Sequence, residues 1–267
     1  MTPPNATIVS REDLAPDLAI FRMASDEGAA PVFEAGQYVT LGLAIAEPPV
    51  QGAGGAPALT SRFVRRAFSI ASSPATRDHL EFLVAHVDGG EFTTPLWALG
   101  VGGRIWIDPH VRGRFTLAGV PADAHVLLIA TGTGIAPYMS MLRAYASQAR
   151  WSRVAVVHGA RLVRDLAYRQ EIEDRVQRDR AVAYVATVTR EPASSAWPGA
   201  RGRIPALLRD TPALARQIGF PLDPSRVHVF ACGNPDMLQE VQALLESRGF
   251  HPQAHGVGGN LHFERYW

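Results

Sequence analysis

The chain has 267 residues, of which 47% are hydrophobic and 19% charged, and its formal net charge is +1, which argues against a general nucleic-acid binder. No apolar run is long enough to span a membrane and residues 1–10 lack a signal-peptide pattern, so a cytoplasmic protein with no membrane segment is expected. The single cysteine, Cys232, excludes an internal disulfide and an iron–sulfur cluster held by this chain, and no other metal site is predicted.

Residues 1–119 are predicted to form a β-rich domain, either a small barrel or a sandwich. Short apolar stretches separated by Gly, Pro, Asp and Ser are typical of strands joined by turns. The stretches lie at 5–9, 18–24, 38–45, 63–71, 80–87 and 104–107, and a short helix is predicted near 93–99. Residues 46–61 are rich in Pro, Gly and Ala, which indicates a loop insertion without chemistry of its own.

The segment Arg66-Ala67-Phe68-Ser69 combines three chemical capabilities within one predicted strand. The guanidinium of Arg66 suits a diphosphate, and the ring of Phe68 can stack on a flat heterocycle. Ser69 can hydrogen-bond a ring nitrogen through its hydroxyl or its backbone N–H. From composition alone, an ordinary barrel strand with a core phenylalanine and solvated arginines is the simpler interpretation.

A second candidate site follows at Gly89-Gly90 and Thr93, immediately before the short predicted helix. Backbone N–H groups at such a turn can hold a phosphate. A polar hairpin turn explains the same residues, and the segment alone does not decide between the two.

Residues 120–267 are predicted to form an α/β domain, because strands alternate with helices and such alternation favours a parallel sheet. The predicted strands lie at 125–130, 153–157, 181–188 and 227–231, and the helices begin at Pro137, near 165 and near 235. Ligands of such sheets bind beyond the carboxyl ends of the strands. Sites are therefore expected in the loops that follow the strands.

The first of these loops is the turn Thr131-Gly132-Thr133-Gly134, which opens into a helix whose first residue is predicted to be Pro137. Free N–H groups and the positive end of a helix dipole favour a bound anion there. Pro137 stands where the dinucleotide fingerprint G-x-G-x-x-G has its third glycine. A tight turn without a ligand explains the two glycines as well.

All 26 basic residues of the chain are arginine, whose planar guanidinium suits phosphate, although a GC-rich genome would produce the same bias. Arg161, Arg190 and Arg203 follow predicted strands or lie in the next loop, so they are expected to meet at one edge of the sheet. No acidic residue at the end of the second strand is placed to hold a ribose hydroxyl. The arginines therefore favour a 2′-phosphate, and NADP over NAD. Scattered surface arginines are the alternative, and His158 is expected in a loop at the edge of this site.

The last long strand is predicted to end in Cys232-Gly233-Asn234-Pro235, with Pro235 opening the final helix. Cys232 by itself is consistent with a small packed hydrophobe. Residues 260–267 alternate like a final strand and end in two aromatic residues, which at a chain terminus are either disordered or docked.

The chain resembles the bacterial ferredoxin–NADP reductases over nearly its whole length. The resemblance rests on motifs in a fixed order: Arg66-Ala67-Phe68-Ser69, Gly90 with Thr93, Gly132-Thr133-Gly134 with Pro137, Cys232-Gly233-Asn234-Pro235 and the ending Glu264-Arg265-Tyr266-Trp267. It implies an antiparallel FAD-binding β-barrel, residues 1–119, followed by an NADP-binding α/β domain, residues 120–267, whose tail reaches the flavin.

The resemblance also implies which residues contact FAD. They are Arg66, Ala67, Phe68, Ser69, Gly90, Thr93, Tyr266 and Trp267. Arg66 would contact the diphosphate, and Phe68 would stack on the isoalloxazine ring. Ser69 would lie near flavin N5, the atom that accepts a hydride. The family usually has tyrosine in place of Phe68, so an altered flavin environment is expected without loss of binding.

For NADP, the resemblance and the loop positions indicate a second set of residues. They are Thr131, Gly132, Thr133, Gly134, Pro137, Arg161, Arg190, Arg203, Gly233 and Asn234. Cys232 and Glu264 would lie beside the nicotinamide. The residues expected at the reaction centre are therefore Ser69, Cys232 and Glu264, in positioning roles, because hydride transfer requires no general acid or base.

The expected function is an FAD-dependent oxidoreductase that transfers a hydride from NADPH to flavin N5 and then single electrons to ferredoxin or flavodoxin. A monomer is expected. Three alternatives remain from the sequence. They are a reductase of the same fold for another acceptor, such as an oxygenase's iron–sulfur protein, a reductase of free flavin, and a non-catalytic flavin-binding regulator.

Overall fold

The computed structural model of the chain describes residues 3–46, 61–145, 150–253 and 258–265. The chain divides into two units, Met1–Arg114 and Phe115–Trp267. This division falls just before residue 119, the predicted end of the first domain. Within the described ranges, no helix is both long and apolar enough to cross a lipid bilayer.

The first unit is a six-stranded antiparallel sheet with the spatial order β4-β3-β6-β1-β2-β5. Its strands are β1 Ala6–Ala15, β2 Leu18–Ser25, β3 Tyr38–Ala46, β4 Ser61–Ser69, β5 Leu80–Ala85 and β6 Arg104–Ile107, and its helix is α1 Thr93–Ala98. The backbone N–H of Ala71 donates to the carbonyl of Glu81 (2.8 Å). This bond joins the segment just after β4 to the start of β5, so the chain leaving one edge strand meets the other edge strand, as in a sheet that curls into a barrel.

Alternate side chains of β3 point into the interior of the first unit, as the period of two in a strand requires. Val39, Leu41 and Leu43 of β3 are buried in one apolar cluster with Phe21 and Phe82. The last two lie directly opposite each other on β2 and β5. Burying an apolar side chain of this size contributes about 1.5–3 kcal/mol, so this core holds the neighbouring strand β4 in place.

The second unit is a six-stranded parallel sheet with the order β10-β9-β8-β7-β11-β12. Its strands are β7 His125–Thr131, β8 Arg153–Ala160, β9 Val182–Val188, β10 Ala200–Arg201, β11 Val227–Cys232 and β12 Leu261–Glu264. Its helices are α2 Ala136–Ala144, α3 Arg169–Arg178, α4 Ile204–Arg209, α5 Thr211–Ile218 and α6 Pro235–Glu246, with 3-10 turns at Gly132–Ile135 and Val163–Asp165. The predicted alternation of strands and helices is confirmed.

Strand β7 lies near the centre of this sheet, between β8 and β11. Four successive residues, Val126 to Ile129, have no solvent exposure, as expected of a strand covered on both faces. Because every strand is parallel, all carboxyl ends share one edge of the sheet, and the loops after β7, β8, β9 and β11 emerge there together. The last strand, β12, extends the sheet beside β11, which confirms the strand predicted within residues 260–267.

Two local predictions are wrong. The sequence predicts His158 in a loop, yet it lies inside β8 and is fully buried, because the strand continues to Ala160. The sequence predicts Pro137 at the first helical position, yet it is the second residue of α2, because a 3-10 turn precedes the helix and Ala136 begins it.

Candidate functional site

The turn after β7 presents open backbone at the carboxyl edge of the parallel sheet. Gly132 has a φ of +54°, and a Cβ at this position would meet no atom within 4 Å apart from its chain neighbours. A positive φ favours glycine, and the open space allows a ligand to approach the backbone closely. This geometry fits the predicted anion site at Thr131, Gly132, Thr133 and Gly134.

Gly134 packs this turn against the turn that follows β11. A Cβ on Gly134 would stand 2.6 Å from the carbonyl carbon of Cys232. In the other direction, a Cβ on Gly233, which has a φ of +133°, would stand 2.7 Å from the carbonyl oxygen of Thr131. The Thr131 hydroxyl also accepts a hydrogen bond from the backbone N–H of Asn234 (2.9 Å). The two glycine motifs therefore form one interlocked structure, which we call the paired turns (131–134 and 232–234).

Asn234 also begins the helix behind the paired turns. Its side-chain oxygen accepts a hydrogen bond from the backbone N–H of Met237 (3.1 Å), so it is the N-cap of α6. Pro235 is the first residue of this helix, as the sequence predicts. Asn234 is thus part of the scaffold of the site as well as a candidate contact for a nucleotide.

Cys232 and Glu264 lie side by side, because they are partners in the parallel register of β11 and β12. Cys232 is fully buried and Glu264 is half-buried. The structure therefore brings two of the residues predicted at the reaction centre to the same edge of the sheet as the paired turns. Their role at a nicotinamide stays a prediction.

Tyr138 of α2 ties the strands beneath the paired turns and was not identified as a site residue from the sequence. Its hydroxyl lies within hydrogen-bond distance of the carbonyls of Ile129 (3.0 Å) on β7 and Phe230 (2.8 Å) on β11. Complete burial raises the pKa of this tyrosine far above its usual value, and the nearby Cys232 and Glu264 raise it further. Tyr138 is therefore a neutral brace that fixes the two strands from which the turns emerge.

The three predicted arginines lie at the same edge, after neighbouring strands. Arg161 directly follows β8, Arg190 lies two residues beyond β9, and Arg203 precedes α4 as its N-cap. The backbone N–H of Arg190 donates to the carbonyl of Arg161 (2.8 Å). All three residues are exposed, and the guanidinium of Arg203 lies 3.8 Å from the carboxylate of Glu240. Exposed arginines in neighbouring loops at one edge suit a phosphate monoester.

In the first unit, Arg66 on β4 is exposed and paired with a carboxylate that the sequence analysis did not single out. Its Nη2 atom lies 3.0 Å from Oε2 of Glu91, and Arg62 donates to the other oxygen of the same carboxylate (2.9 Å). Hydrogen bonding to Arg62, with a further contribution from Arg66, lowers the pKa of Glu91. A diphosphate bound to Arg66 would therefore compete with Glu91.

Phe68 is half-buried at the rim of the barrel core. Its ring centroid lies 5.4 Å from that of Phe92 and 6.3 Å from that of Phe82, so apolar neighbours hold the ring in place. Ala67 beside it is exposed, and Ser69 at the end of β4 is buried. A partly exposed, well-supported aromatic ring fits the predicted stacking on a flat heterocycle.

The loop before α1 is closed by its own hydrogen bonds. The N–H of Gly90 donates to the carbonyl of Val87 (2.8 Å), and the hydroxyl of Thr93 accepts from the N–H of Val87 (3.2 Å). Thr93 therefore shapes the loop that the sequence predicts to hold a phosphate. The remaining predicted flavin contacts, Tyr266 and Trp267, lie outside the described residues.

His158 lies within the sheet and does not serve as an acid or base at neutral pH. Its Nδ1 atom lies 3.1 Å from the hydroxyl of Tyr184, and burial lowers its pKa to about 4. Burial also raises the pKa of Tyr184, so both groups are neutral near pH 7. The pair is a packed polar contact beneath the arginine-bearing loops.

Known proteins resemble this chain in sequence and in fold. The family model described as "Oxidoreductase NAD-binding domain" matches residues 128–243. The chain is 35% identical over 244 residues to the flavodoxin/ferredoxin–NADP reductase of Escherichia coli strain K12, covering 89% of this chain and 90% of that protein. It is 32% identical over 266 residues to ferredoxin–NADP reductase B of Sorangium cellulosum, covering 99% and 98%.

A solved structure shows the same fold. It is a ferredoxin NADP⁺ reductase from Neisseria gonorrhoeae with bound FAD and NADP, and it superposes with a TM-score of 0.82 at 22% identity over 98% of each chain. A barrel followed by a parallel α/β sheet is thus an architecture seen before with both nucleotides.

Proposed function

The chain belongs to the ferredoxin–NADP reductase family. From its geometry we propose which residues carry out the FAD-dependent oxidation of NADPH, with ferredoxin or flavodoxin as acceptor. The observation that carries the proposal is the set of exposed arginines at the same sheet edge as the paired turns. The bound flavin supplies the redox chemistry, since it can accept a hydride and return its two electrons singly. The protein supplies binding, orientation and electrostatics.

On the second unit, the paired turns bind the diphosphate of NADPH. The open backbone at Gly132 supports this role, because it gives the phosphates access to backbone N–H groups, and the close packing at Gly134 and Gly233 fixes the two turns against each other. Arg161, Arg190 and Arg203 bind the 2′-phosphate and so favour NADPH over NADH. Thr131 and Asn234 hold the two turns together, and Thr133 and Pro137 complete the first turn.

Beside these turns, Cys232 and Glu264 position the nicotinamide. The in-register pairing of β11 with β12 supports this role, since it holds both residues at the end of the sheet next to the paired turns. Cys232 is buried and Glu264 half-buried, so both have little freedom to move. Neither residue needs to exchange a proton for a hydride to pass from NADPH to its acceptor.

On the first unit, Arg66 binds the FAD diphosphate and Phe68 stacks on the flavin ring. The exposure of Arg66 and the packing of Phe68 against Phe92 support these roles. Gly90 and Thr93 hold the diphosphate from its other side, and Ser69 places a hydrogen-bonding group near flavin N5. Tyr266 and Trp267 are proposed to cover the flavin and to stack near the adenine.

The acceptor is a small electron-carrier protein, ferredoxin or flavodoxin, as the names of the relatives support. The chain is proposed to act as a monomer in the cytoplasm. An oxygenase's iron–sulfur protein and free flavin are competing acceptors of the same two electrons, and turnover with each of them separates these possibilities.

The experiment is an anaerobic titration of the purified yellow protein with NADPH and, separately, with NADH. We expect NADPH to bleach the flavin absorbance rapidly at a stoichiometry near one, with NADH far slower, and reduced protein to pass electrons to ferredoxin or flavodoxin. A flavin that NADPH does not bleach would indicate a non-catalytic flavin-binding regulator. Fast reduction of free flavin with no transfer to either carrier would indicate a flavin reductase.

A further inference from the structure

Glu191 joins the loops that carry the arginines of the phosphate site. It directly follows Arg190, and its Oε2 atom accepts a hydrogen bond from the backbone N–H of Val163 (2.9 Å), two residues beyond Arg161. Its backbone carbonyl accepts a hydrogen bond from Nη1 of Arg201 (2.7 Å). One residue thus contacts the loop after β8 with its side chain and the strand β10 with its backbone.

These contacts close a ring of hydrogen bonds that includes the backbone of Arg161 and Arg190. The N–H of Arg190 donates to the carbonyl of Arg161 (2.8 Å), and the N–H of Val163 donates to the carboxylate of Glu191. The ring runs through the backbone from Arg161 to Val163 and back through Glu191 and Arg190. Because both arginines belong to the ring, their Cα atoms are held at a set separation.

Glu191 is also linked, through Arg201, to the segment that carries Arg203, the third arginine of the site. Arg201, which donates to the Glu191 carbonyl, also donates to the hydroxyl of Ser195 (3.1 Å) and stands two residues before Arg203. The N–H of Gly202 donates to the carbonyl of Val188 at the end of β9 (2.9 Å). The loop from Arg190 to Arg203 is therefore pinned at both of its ends.

We propose that Glu191 is a positioning residue for the 2′-phosphate site: its carboxylate holds the Arg161 loop against the Arg190 loop so that both guanidinium groups meet one phosphate. Like charges repel, so two guanidinium groups converge on a dianion only where the backbone that carries them is held. The proposal rests on the proposed function and names a residue that the motifs leave out.

Glu191 also bears on the choice between the two nicotinamide nucleotides. An acidic residue after the second strand commonly holds the ribose hydroxyls of NAD, whereas Glu191 follows β9, the third strand of this sheet in chain order. Here the carboxylate of Glu191 receives the N–H of Val163 instead, so it is used by the arginine-bearing scaffold. The acidic residue that follows the second strand, Asp165, accepts a hydrogen bond from the backbone N–H of Leu162 (3.0 Å), so it too is used by the loop after β8.

The test compares Glu191→Ala with Glu191→Gln, since glutamine keeps a side-chain oxygen that can accept the Val163 N–H. Calorimetry with 2′,5′-ADP and with ADP measures binding without turnover. We expect Glu191→Ala to weaken 2′,5′-ADP about tenfold and ADP less than about twofold, in line with the loss of one charge-assisted hydrogen bond. Glu191→Gln is expected to recover most of the affinity.

Steady-state kinetics on the holoenzyme give the second readout. Glu191→Ala is expected to raise KM for NADPH about tenfold while kcat at saturation and KM for NADH stay within about twofold. Glu246→Ala, which removes a carboxylate at the carboxyl end of α6, is the matched control and is expected to resemble the wild type in every measurement.

Three outcomes would overturn the proposal. Unchanged affinity of Glu191→Ala for both 2′,5′-ADP and ADP would remove any positioning role. Equal weakening of both ligands, accompanied by a lower Tm, would make Glu191 a purely structural residue. A larger loss for ADP and NADH would make it a ribose ligand. If the wild-type protein itself does not prefer NADPH over NADH, the proposed function is wrong. That result comes from the wild-type protein alone and does not depend on the Glu191 variants.

Discussion

Replacing Gly134 with alanine tests whether the paired turns are one structure. The added Cβ would stand 2.6 Å from the carbonyl carbon of Cys232 and 3.0 Å from the backbone nitrogen of Gly233. Both neighbours are main-chain atoms, so no side-chain rotation relieves the contact. To reach an ordinary carbon–carbon separation of about 3.5 Å, one turn must move by roughly 1 Å relative to the other.

The expected cost follows from that displacement. Forcing an extra methyl group into a packed site costs about 1–3 kcal/mol, so Gly134→Ala is expected to lower the free energy of unfolding by that amount. Misplacing a positioning group by about 1 Å costs up to about a hundredfold in rate, so kcat/KM for NADPH is expected to fall by about tenfold to a hundredfold. A Cβ on Gly119, in the same unit, would meet no atom within 4 Å, so Gly119→Ala serves as the matched control.

Urea unfolding followed by circular dichroism gives the free energy of unfolding, and steady-state assays with NADPH on the same preparations give kcat/KM. Gly119→Ala is expected to stay within about 0.5 kcal/mol of the wild type. If Gly134→Ala matches this control in both stability and kcat/KM, then the close contact between the paired turns has no consequence and the reasoning fails.

Four further substitutions test separate features. Phe68→Ala removes the supported aromatic ring and is expected to lower the flavin content of the purified protein, measured by absorbance; a normal content would exclude the stacking role. Arg203→Ala is expected to raise KM for NADPH about tenfold and KM for NADH far less, and an equal change in both would contradict contact with a 2′-phosphate. Glu91→Gln removes the charge paired with Arg66 and is expected to strengthen FAD binding by the flavin-free protein severalfold in a fluorescence titration, whereas weaker binding would show that Glu91 orients the arginine. His158→Leu removes a histidine whose pKa is about 4 when folded and about 6.5 when unfolded. Between these values the unfolded chain binds the extra proton, so stability is lost as the pH is lowered, by about 2 kcal/mol at pH 5. Urea unfolding of His158→Leu at pH 7 and pH 5 should show a smaller loss than in the wild type, and an equal loss would assign the pH dependence elsewhere.

Most of the fold could be predicted from the sequence, because the apolar pattern is clear where burial is complete. The run from Val126 to Ile129 has no polar residue and is buried on both faces, which is the condition that makes a parallel strand recognisable. Strand β10, with only two residues, has no periodicity to detect. The short helices α4 and α5 were missed although α5 carries usable signals: Asp210 accepts the N–H of Ala213 as its N-cap (3.1 Å), and Gly219 ends it with a φ of +84°.

The parts of the site that the sequence could not predict depend on contacts between distant segments. The hydrogen bond between Thr131 and Asn234 joins residues 103 positions apart. Roles for Glu91 and Glu191 can be assigned only when their arginine and backbone partners are known. His158 was misplaced because a polar residue at the end of an apolar run normally marks a loop, whereas here Tyr184 gives it a buried hydrogen-bond partner.

The departure of this chain from the dinucleotide fingerprint has a structural reason. In G-x-G-x-x-G the third glycine allows the helix to pack closely on the strands. Here that position is Pro137, and α2 instead contacts the strands through Tyr138, whose hydroxyl reaches the carbonyls of β7 and β11. The close backbone approach has moved to Gly134, which packs against the turn after β11 rather than against a helix. The glycines of this motif therefore join the turn proposed to bind the diphosphate to Cys232, so the contact that shapes this turn also sets the position of the residue proposed to face the nicotinamide.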